Sequence, residues 1–209
     1  MNTRRGVRRV KVWWLVAAFF SGFALAVWAQ ELILTVRDNR LQFAAPGLHF
    51  LAGKPLDRLR NAAEVPFDFQ VTLWAGNRNR ELRRAAATFV VSYDLWEEKF
   101  SVTKLSTPRK RAAHLTMQAA EAWCLEQMPM DASGLGPAEP FWVRLEVRAP
   151  SAKAGGPLFA RERITETGVS LNRVVEIFSR PAQTDQPHWT VDAGPLTLNE
   201  VRRGPGSPQ

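Results

Sequence analysis

The chain has few of the residues that form disulfide bonds and metal sites. Its 209 residues include one cysteine, three histidines and one tyrosine. The single cysteine, Cys124, excludes an internal disulfide bond. His49, His114 and His188 are far apart in sequence, and none has a neighbouring histidine, cysteine or aspartate at ligand spacing. We therefore predict no metal ion and no cofactor.

Motifs of the common enzyme classes are also missing. The sequence contains no glycine-rich phosphate loop and no G-x-S-x-G nucleophile motif. On one predicted helix, His114 and Cys124 would lie about 80° apart around the axis and ~15 Å apart along it, too far for a nucleophile–base pair. The adjacent Glu97 and Glu98 would point to opposite sides of a strand, unlike the facing carboxylates of a glycosidase. We therefore predict no catalytic residues and consider an enzyme the less favoured hypothesis.

The net charge of +8 is misleading as evidence for nucleic-acid binding. Five of the basic residues lie within the first 11 positions, at Arg4, Arg5, Arg8, Arg9 and Lys11. Without them, residues 30–209 carry 23 lysines and arginines against 20 aspartates and glutamates, a net charge of +3. Such a balance is ordinary for a soluble surface, so we expect no nucleic-acid partner.

Residues 1–29 have the pattern of an export signal. A basic head without acidic residues precedes an uncharged apolar run over residues 12–29, which closes on Val27, Trp28 and Ala29. A basic region, an apolar region and an end resembling A-x-A are the features of a secretory signal peptide. The sequence thus places the rest of the chain outside the cytoplasm.

Whether this segment is cleaved after Ala29 or retained as an anchor stays open. As a helix, residues 12–29 would span about 27 Å, close to the roughly 30 Å of a hydrocarbon core. Trp13, Trp14 and Trp28 flank the run as an aromatic belt would. The predicted location is therefore periplasmic, or anchored in the inner membrane through residues 12–29 with the domain outside the cytoplasm.

Residues 30–201 are predicted to form a single α+β domain. Apolar and polar residues alternate over residues 67–74 and 141–148, which is typical of strands with one buried face. Further strands are predicted at residues 31–37, 41–43, 89–93, 100–105, 189–191 and 196–198. Since the runs alternate rather than staying apolar throughout, they favour an antiparallel sheet with helices packed on one face.

Three helices are predicted between these strands. They cover residues 55–63, 109–128 and 170–178, and the second is the longest. Ala113, Met117, Ala120, Cys124 and Met128 recur along one face of it, so Cys124 is expected to be a buried, unreactive thiol. A flexible connector is predicted near residues 149–158, and residues 202–209 are rich in glycine, proline and serine and are predicted to be disordered.

The passage over residues 67–74 and 89–102, with its serine–tyrosine strand at Ser92 and Tyr93, resembles domain of unknown function 4390, an uncharacterised bacterial exported family. The similarity extends over about residues 31–148. The layout is also similar, with an export signal ahead of the domain and a short helix before a strand. It implies an envelope protein and supplies no reaction, cofactor or catalytic residue.

Two tryptophans are the best candidates for a binding surface. Trp74 and Trp142 fall on the polar side of their predicted strands, where exposed aromatic side chains can mark an interface. Alternatively, the helix at residues 170–178 covers that side and buries them. We predict a non-enzymatic envelope domain that binds a protein or peptide; the rival hypothesis is a small exported hydrolase with an unrecognised site.

Overall fold

The domain consists mainly of antiparallel sheet with a few helices. The computed structural model describes residues 31–76, 78–149, 178 and 186–203. Within these ranges the strands form a three-stranded and a six-stranded sheet. None of the helices described there is long and apolar enough to cross a bilayer. The predicted export segment, residues 150–158 of the predicted connector and residues 204–209 of the predicted tail lie outside the described residues. The prediction of a disordered tail from residue 202 is wrong at its start, because Arg202 and Arg203 complete a helix that Leu198 and Val201 anchor in the core.

The small sheet is built on a tight hairpin. Strands β1 (Ile33–Arg37) and β2 (Arg40–Ala44) pair through a turn at Asp38 and Asn39, and β7 (Met130–Asp131) joins β2. Both turn residues have positive φ, 49° and 60°. Aspartate and asparagine tolerate this conformation, and two such residues match the twist of the strands. The strands predicted at residues 31–37 and 41–43 are confirmed.

In the large sheet, the two segments with the clearest alternation of apolar and polar residues, 67–74 and 141–148, lie on neighbouring strands. Its strand order is β6-β5-β4-β3-β8-β9, with every pair antiparallel. The bounds are β3 Val65–Ala75, β4 Arg80–Asp94, β5 Lys99–Lys104, β6 Lys110–Leu115, β8 Phe141–Arg148 and β9 His188–Leu196. β9 was predicted only as a short strand, and residues 197–198 do not continue it, because Leu198 begins a helix.

The predicted helix over residues 109–128 is wrong over its first eight residues and its last two. Lys110–Leu115 forms the edge strand β6 against β5, and helix α2 spans Met117–Glu126. Thr116 caps α2, since its hydroxyl oxygen accepts a hydrogen bond from the N–H of Ala119 at 3.2 Å. Pairing with β5 overrides the helix propensity of the Lys-Arg-Ala-Ala run, and the threonine cap marks the true start.

One side of the large sheet packs on the core and is here called the first face. On β3 it carries Phe67, Phe69, Val71 and Leu73. These side chains are at most 1% exposed. On β8, every second residue is buried in the same way: Phe141, Val143, Leu145 and Val147. Helices α1 (Gly53–Arg60) and α3 (Leu198–Arg203), together with α2, contribute buried residues to the same cluster. The predicted sharing of one sheet and one core by residues 67–74 and 141–148 is confirmed.

The opposite side of β3, here called the second face, is also buried, so the prediction of one buried face for this strand is wrong. Asp68, Gln70 and Thr72 are 4%, 6% and 3% exposed. β3 is a central strand, and in register the short Thr72 and Asp68 lie beside the longer side chains of Arg84 on β4 and Arg148 on β8, which flank them on this face. Of the predicted helix over residues 170–178, only Phe178 is described; it is helical and buried.

Candidate functional site

The structure brings the two predicted tryptophans together. Trp74 on β3 and Trp142 on β8 are direct cross-strand partners on the second face, and both are half-buried. The guanidinium carbon of Arg144 lies 5.8 Å from the ring centroid of Trp74, and that of Arg78 lies 6.0 Å from the ring centroid of Trp142. At these distances each ring holds a cation over its π system. The result is an aromatic pair with an arginine over each ring, at one end of the face.

An aspartate on β9 holds these arginines in place. Asp192 accepts two hydrogen bonds from Arg144, at 2.7 Å and 2.9 Å, and lies 3.9 Å from Arg78. The bidentate bond to Arg144 lowers the pKa of Asp192 below its ordinary value and raises the pKa of Arg144. Arg144 is thus oriented by a bidentate bond to its cross-strand partner, and Arg78, in the turn after β3, lies within ion-pair distance of the same carboxylate.

Next to the tryptophans, the second face has a buried polar centre. The Thr88 hydroxyl donates to Asp68 at 2.6 Å, and Nε2 of Gln70 donates to the Thr72 hydroxyl at 3.5 Å. The carbonyl oxygen Oε1 of Gln70 has no hydrogen-bond partner in the part of the chain that the structure describes. Buried carbonyl groups normally have a partner, so this acceptor is suited to a donor from outside the strand.

The other end of the second face is covered in part. The guanidinium of Arg148 on β8 lies 4.5 Å from the ring centroid of Phe178. The predicted alternative, a covering helix, thus has one contact in its favour, and that contact lies at Arg148 rather than at Trp142. In register, Arg148 pairs with Asp68, whereas Trp142 pairs with Trp74 six residues further along β3.

A second feature, which the sequence did not indicate, is a pocket of about 370 Å³ between β2, the turn that follows it and α2. Its floor is buried and mostly apolar, with Phe43, Ala45, Leu48 and Leu125. Exposed residues surround the mouth: Ala44, Pro46, His49, Gln118, Ala122 and Glu126. Pockets of this size hold small molecules.

A buried carboxylate lies in the wall of this pocket. The Glu121 side chain is 7% exposed; one oxygen accepts from the backbone N–H of Leu51 at 2.9 Å, and the other accepts from Nδ1 of His49 at 3.1 Å. A buried carboxylate is costly unless it is hydrogen-bonded, and these two donors satisfy that need. Sequence alone could not join His49 to Glu121, which are 72 residues apart.

The structure separates the histidine and the cysteine considered for catalysis. His114 is exposed on β6 and hydrogen-bonded to Glu97, whereas Cys124 is fully buried in α2. Burial raises the pKa of the Cys124 thiol well above its usual value, and the nearby Glu121 charge raises it further. A thiol with a raised pKa in an apolar core is a poor nucleophile. The predicted burial of Cys124 is confirmed, and its low reactivity stays a prediction.

The most exposed apolar side chains lie elsewhere, at the tip of the β4–β5 hairpin. Trp96 is 97% exposed and Leu95 is 53% exposed. The Asp94 carboxylate accepts from the N–H groups of Trp96 and Glu97 at 2.8 Å and 3.1 Å, which fixes the turn and lowers the pKa of Asp94. In the sequence, the signal for this exposed turn is an aspartate two residues before the tryptophan, because an aspartate side chain can accept from the backbone N–H two residues further on.

The described residues form no cluster of three or more histidine, cysteine, aspartate or glutamate side chains that could hold a metal ion. Comparisons with protein-family models, with curated proteins and with solved structures find no match for this chain. The similarity to domain of unknown function 4390 therefore stays a prediction from the sequence.

Proposed function

We propose that this chain is an exported cell-envelope domain without enzymatic activity, which binds a protein or peptide through the second face of its large sheet. The single observation that supports it is the cross-strand pair of Trp74 and Trp142, held half-exposed beneath two oriented arginines. Tryptophan and arginine are the residues most enriched where binding energy concentrates in protein interfaces.

The arrangement of the layers favours this face. Leu59 of α1, Cys124 of α2 and Val201 of α3 belong to the core cluster that includes the first face. Trp74 and Trp142 on the second face are only half-buried, so within the described residues this end of the face is accessible. The edges of the sheet are less suitable for adding a strand. β6 carries exposed Lys110 and Arg111, and β9 contains Pro195, and both features discourage strand pairing.

The chemistry of the patch suggests a ligand with both apolar and acidic groups. The two indole rings offer apolar area that loses little conformational freedom on binding. Arg144 and Arg78 are held by Asp192, and an incoming carboxylate or backbone carbonyl would meet guanidinium groups that are already oriented. A peptide segment with an apolar and an acidic side chain fits this description.

Substitution of the tryptophans tests the face. We expect Trp74→Ser with Trp142→Ser to keep the native circular dichroism spectrum and to weaken capture of envelope proteins by the immobilised domain. Trp96→Ser is the matched control, because it removes an equally large ring from the hairpin tip. Loss of capture with Trp96→Ser, and full capture with the double variant, would place the interface at the hairpin tip instead.

The proposed export is supported by the order of charge and apolarity over residues 4–29. A reporter that is active only in the periplasm, fused after Gln209, should be active; activity only of a cytoplasmic reporter would refute this topology. Replacing Ala29 with a bulky residue then separates the two forms of export. A shift in electrophoretic mobility indicates normal cleavage, and an unchanged mobility indicates an inner-membrane anchor formed by residues 12–29.

The rival function, an exported hydrolase, is favoured by one observation, the His49–Glu121 pair in the wall of the pocket. The residues that line this pocket include no serine, threonine or cysteine, so His49 would have to activate water rather than a side chain. Turnover of small ester or amide probes that His49→Gln abolishes, at unchanged stability, would establish the hydrolase and overturn the proposal.

A further inference from the structure

We propose that the pocket between β2 and α2 is a binding site for a small cationic amphiphile, a primary amine with a short apolar chain. This site is separate from the tryptophan pair of the second face and does not depend on the function proposed for it. Two properties of the pocket support this site: its apolar floor and its charge.

The floor would hold the apolar chain of the ligand. Phe43, Leu48 and Leu125 are each at most 3% exposed, yet they line a cavity of about 370 Å³. Side chains that are buried from bulk solvent and still border an open volume gain free energy when an apolar group replaces water there. The ligand therefore has an apolar part, and its affinity should rise by about fourfold with each methylene that becomes buried.

The charge of the wall selects a cation. The charged side chains in the lining are the carboxylates of Glu121 and Glu126, accompanied by the imidazole of His49; lysine and arginine are absent from the lining, all of which lies in the described part of the chain. Each oxygen of Glu121 accepts one hydrogen bond from the protein and can accept another. An ammonium group supplies three donors and the complementary charge.

The two carboxylates act without help from the end of α2. The carboxyl end of a helix attracts cations, but Lys104 already donates to the backbone carbonyl of Gln127, the C-cap of α2. An ammonium group near Glu126 would therefore be held by the two side-chain carboxylates, while its alkyl chain lies over Phe43 and Leu48.

Isothermal titration calorimetry of the full domain with hexylamine, hexanol and hexanoate tests the proposal, because the three probes share one chain and differ in the head group. We expect saturable binding of hexylamine, binding of hexanol at least about tenfold weaker, and no detectable binding of hexanoate. Propylamine, butylamine and pentylamine should follow the fourfold step per methylene. Equal affinity for hexylamine and hexanol, or no saturable binding of hexylamine, would overturn the proposal.

Variants locate the binding. Glu121→Gln keeps an acceptor for the N–H of Leu51 and removes the charge, so hexylamine should bind about tenfold more weakly and hexanol unchanged. Glu126→Gln, which is exposed and should not disturb folding, reports on the same charge if Glu121→Gln does not fold. Ala122→Phe should fill the mouth and abolish binding of both probes. Glu98→Gln, outside the pocket lining, is the matched control. Unchanged hexylamine affinity in Glu126→Gln and Ala122→Phe would contradict the proposed site.

The two proposals fail independently. Ala122→Phe should abolish hexylamine binding and leave capture through the second face intact, whereas the Trp74→Ser, Trp142→Ser double variant should do the reverse. Addition of hexylamine should also shift the backbone amide resonance of Leu51, whose N–H donates to Glu121. A shift confined to residues outside α2 and the segment around Leu51 would place the amine elsewhere and refute the assignment.

Discussion

The backbone of Gly194 passes directly against the indole of Trp142. A Cβ atom at position 194 would lie 2.9 Å from Cδ1 of Trp142 and 2.7 Å from the carbonyl oxygen of Phe141. Gly194 has a φ of +123° and lies where the register between β8 and β9 shifts. Only glycine combines this conformation with so close an approach. The irregularity in β9 therefore helps to position the tryptophan that the proposed interface uses.

Gly194→Ala should accordingly displace Trp142 and destabilise the fold. We expect a loss of about 1–3 kcal/mol from the backbone conformation, with a further cost from the contact with Trp142. The control is Gly134→Ala, because Gly134 also has a positive φ, +88°, yet has nothing within 4 Å of an added Cβ. Thermal unfolding and tryptophan fluorescence measure both effects. Equal destabilisation by the two variants, with unchanged fluorescence, would show that contact with Trp142 is unimportant.

The buried second face of β3 leads to a prediction that reverses the expectation from sequence. Thr72 falls on the polar side of its predicted strand, where an aspartate was expected to be far milder than at Phe69, but Thr72 is 3% exposed. Thr72→Asp should therefore destabilise the domain by several kcal/mol, comparable to Phe69→Asp, because a buried carboxylate lacks water. Thr35→Asp, on the exposed side of β1, should cost less than about 1 kcal/mol. Chemical denaturation compares them; similar midpoints for the two threonine variants would contradict the buried second face.

Much of the fold could be predicted from local patterns. The alternation over residues 67–74 and 141–148 was sufficient to predict two strands, because each of them places its phenylalanine, valine and leucine side chains on one side. The helix over residues 109–128 was overextended, because Lys110–Leu115 has good helix formers and becomes a strand only through pairing with β5. The burial of Asp68, Gln70 and Thr72 depends on neighbours far away in sequence, so the polar residues themselves gave no sign of it.

The same contrast between local patterns and contacts of distant residues applies to the candidate sites. Trp74 and Trp142 could be identified because two tryptophans interrupted the polar side of two strands, and register then placed them opposite each other. The pocket was missed because its wall combines His49 from a loop with Glu121 from a helix, and no local spacing links these two residues. Cys124 was correctly predicted as buried, since it still shares a buried helix face with Ala120 although Ala113 and Met128 lie outside the helix.

Cys124 should be chemically quiet in the folded protein. Its burial raises the pKa of the thiol, so very little thiolate exists at neutral pH. Labelling by a maleimide should therefore be slow in the native state and fast after denaturation. Cys124→Ala should cost roughly 1 kcal/mol or somewhat more through the small cavity it leaves. Equal labelling rates in both states would show that the thiol is accessible.

The Asp192–Arg144 pair should contribute to acid sensitivity. Because the pKa of Asp192 is lowered in the folded state from 3.8, its contribution is fully present above that value and is lost as the pH falls through the folded pKa. Stability should therefore decline below about pH 4, and Asp192→Asn should flatten that part of the stability profile. Asp57→Asn, on the exposed side of α1, is the control for removal of one acidic charge. An identical decline of stability at acid pH in Asp192→Asn and in the wild type would contradict the pairing.

The central claim is that the second face of the large sheet binds a partner in the cell envelope, and site-specific photo-crosslinking in intact cells tests it most directly. A benzophenone side chain at Thr190 or Glu81, both exposed positions beside this face, should yield the same discrete crosslinked product. A benzophenone at Thr35 on the small sheet should not yield it, and Trp74→Ser with Trp142→Ser should abolish it. Crosslinks of equal yield from Thr35, or a product from Thr190 that persists in the double variant, would contradict the claim.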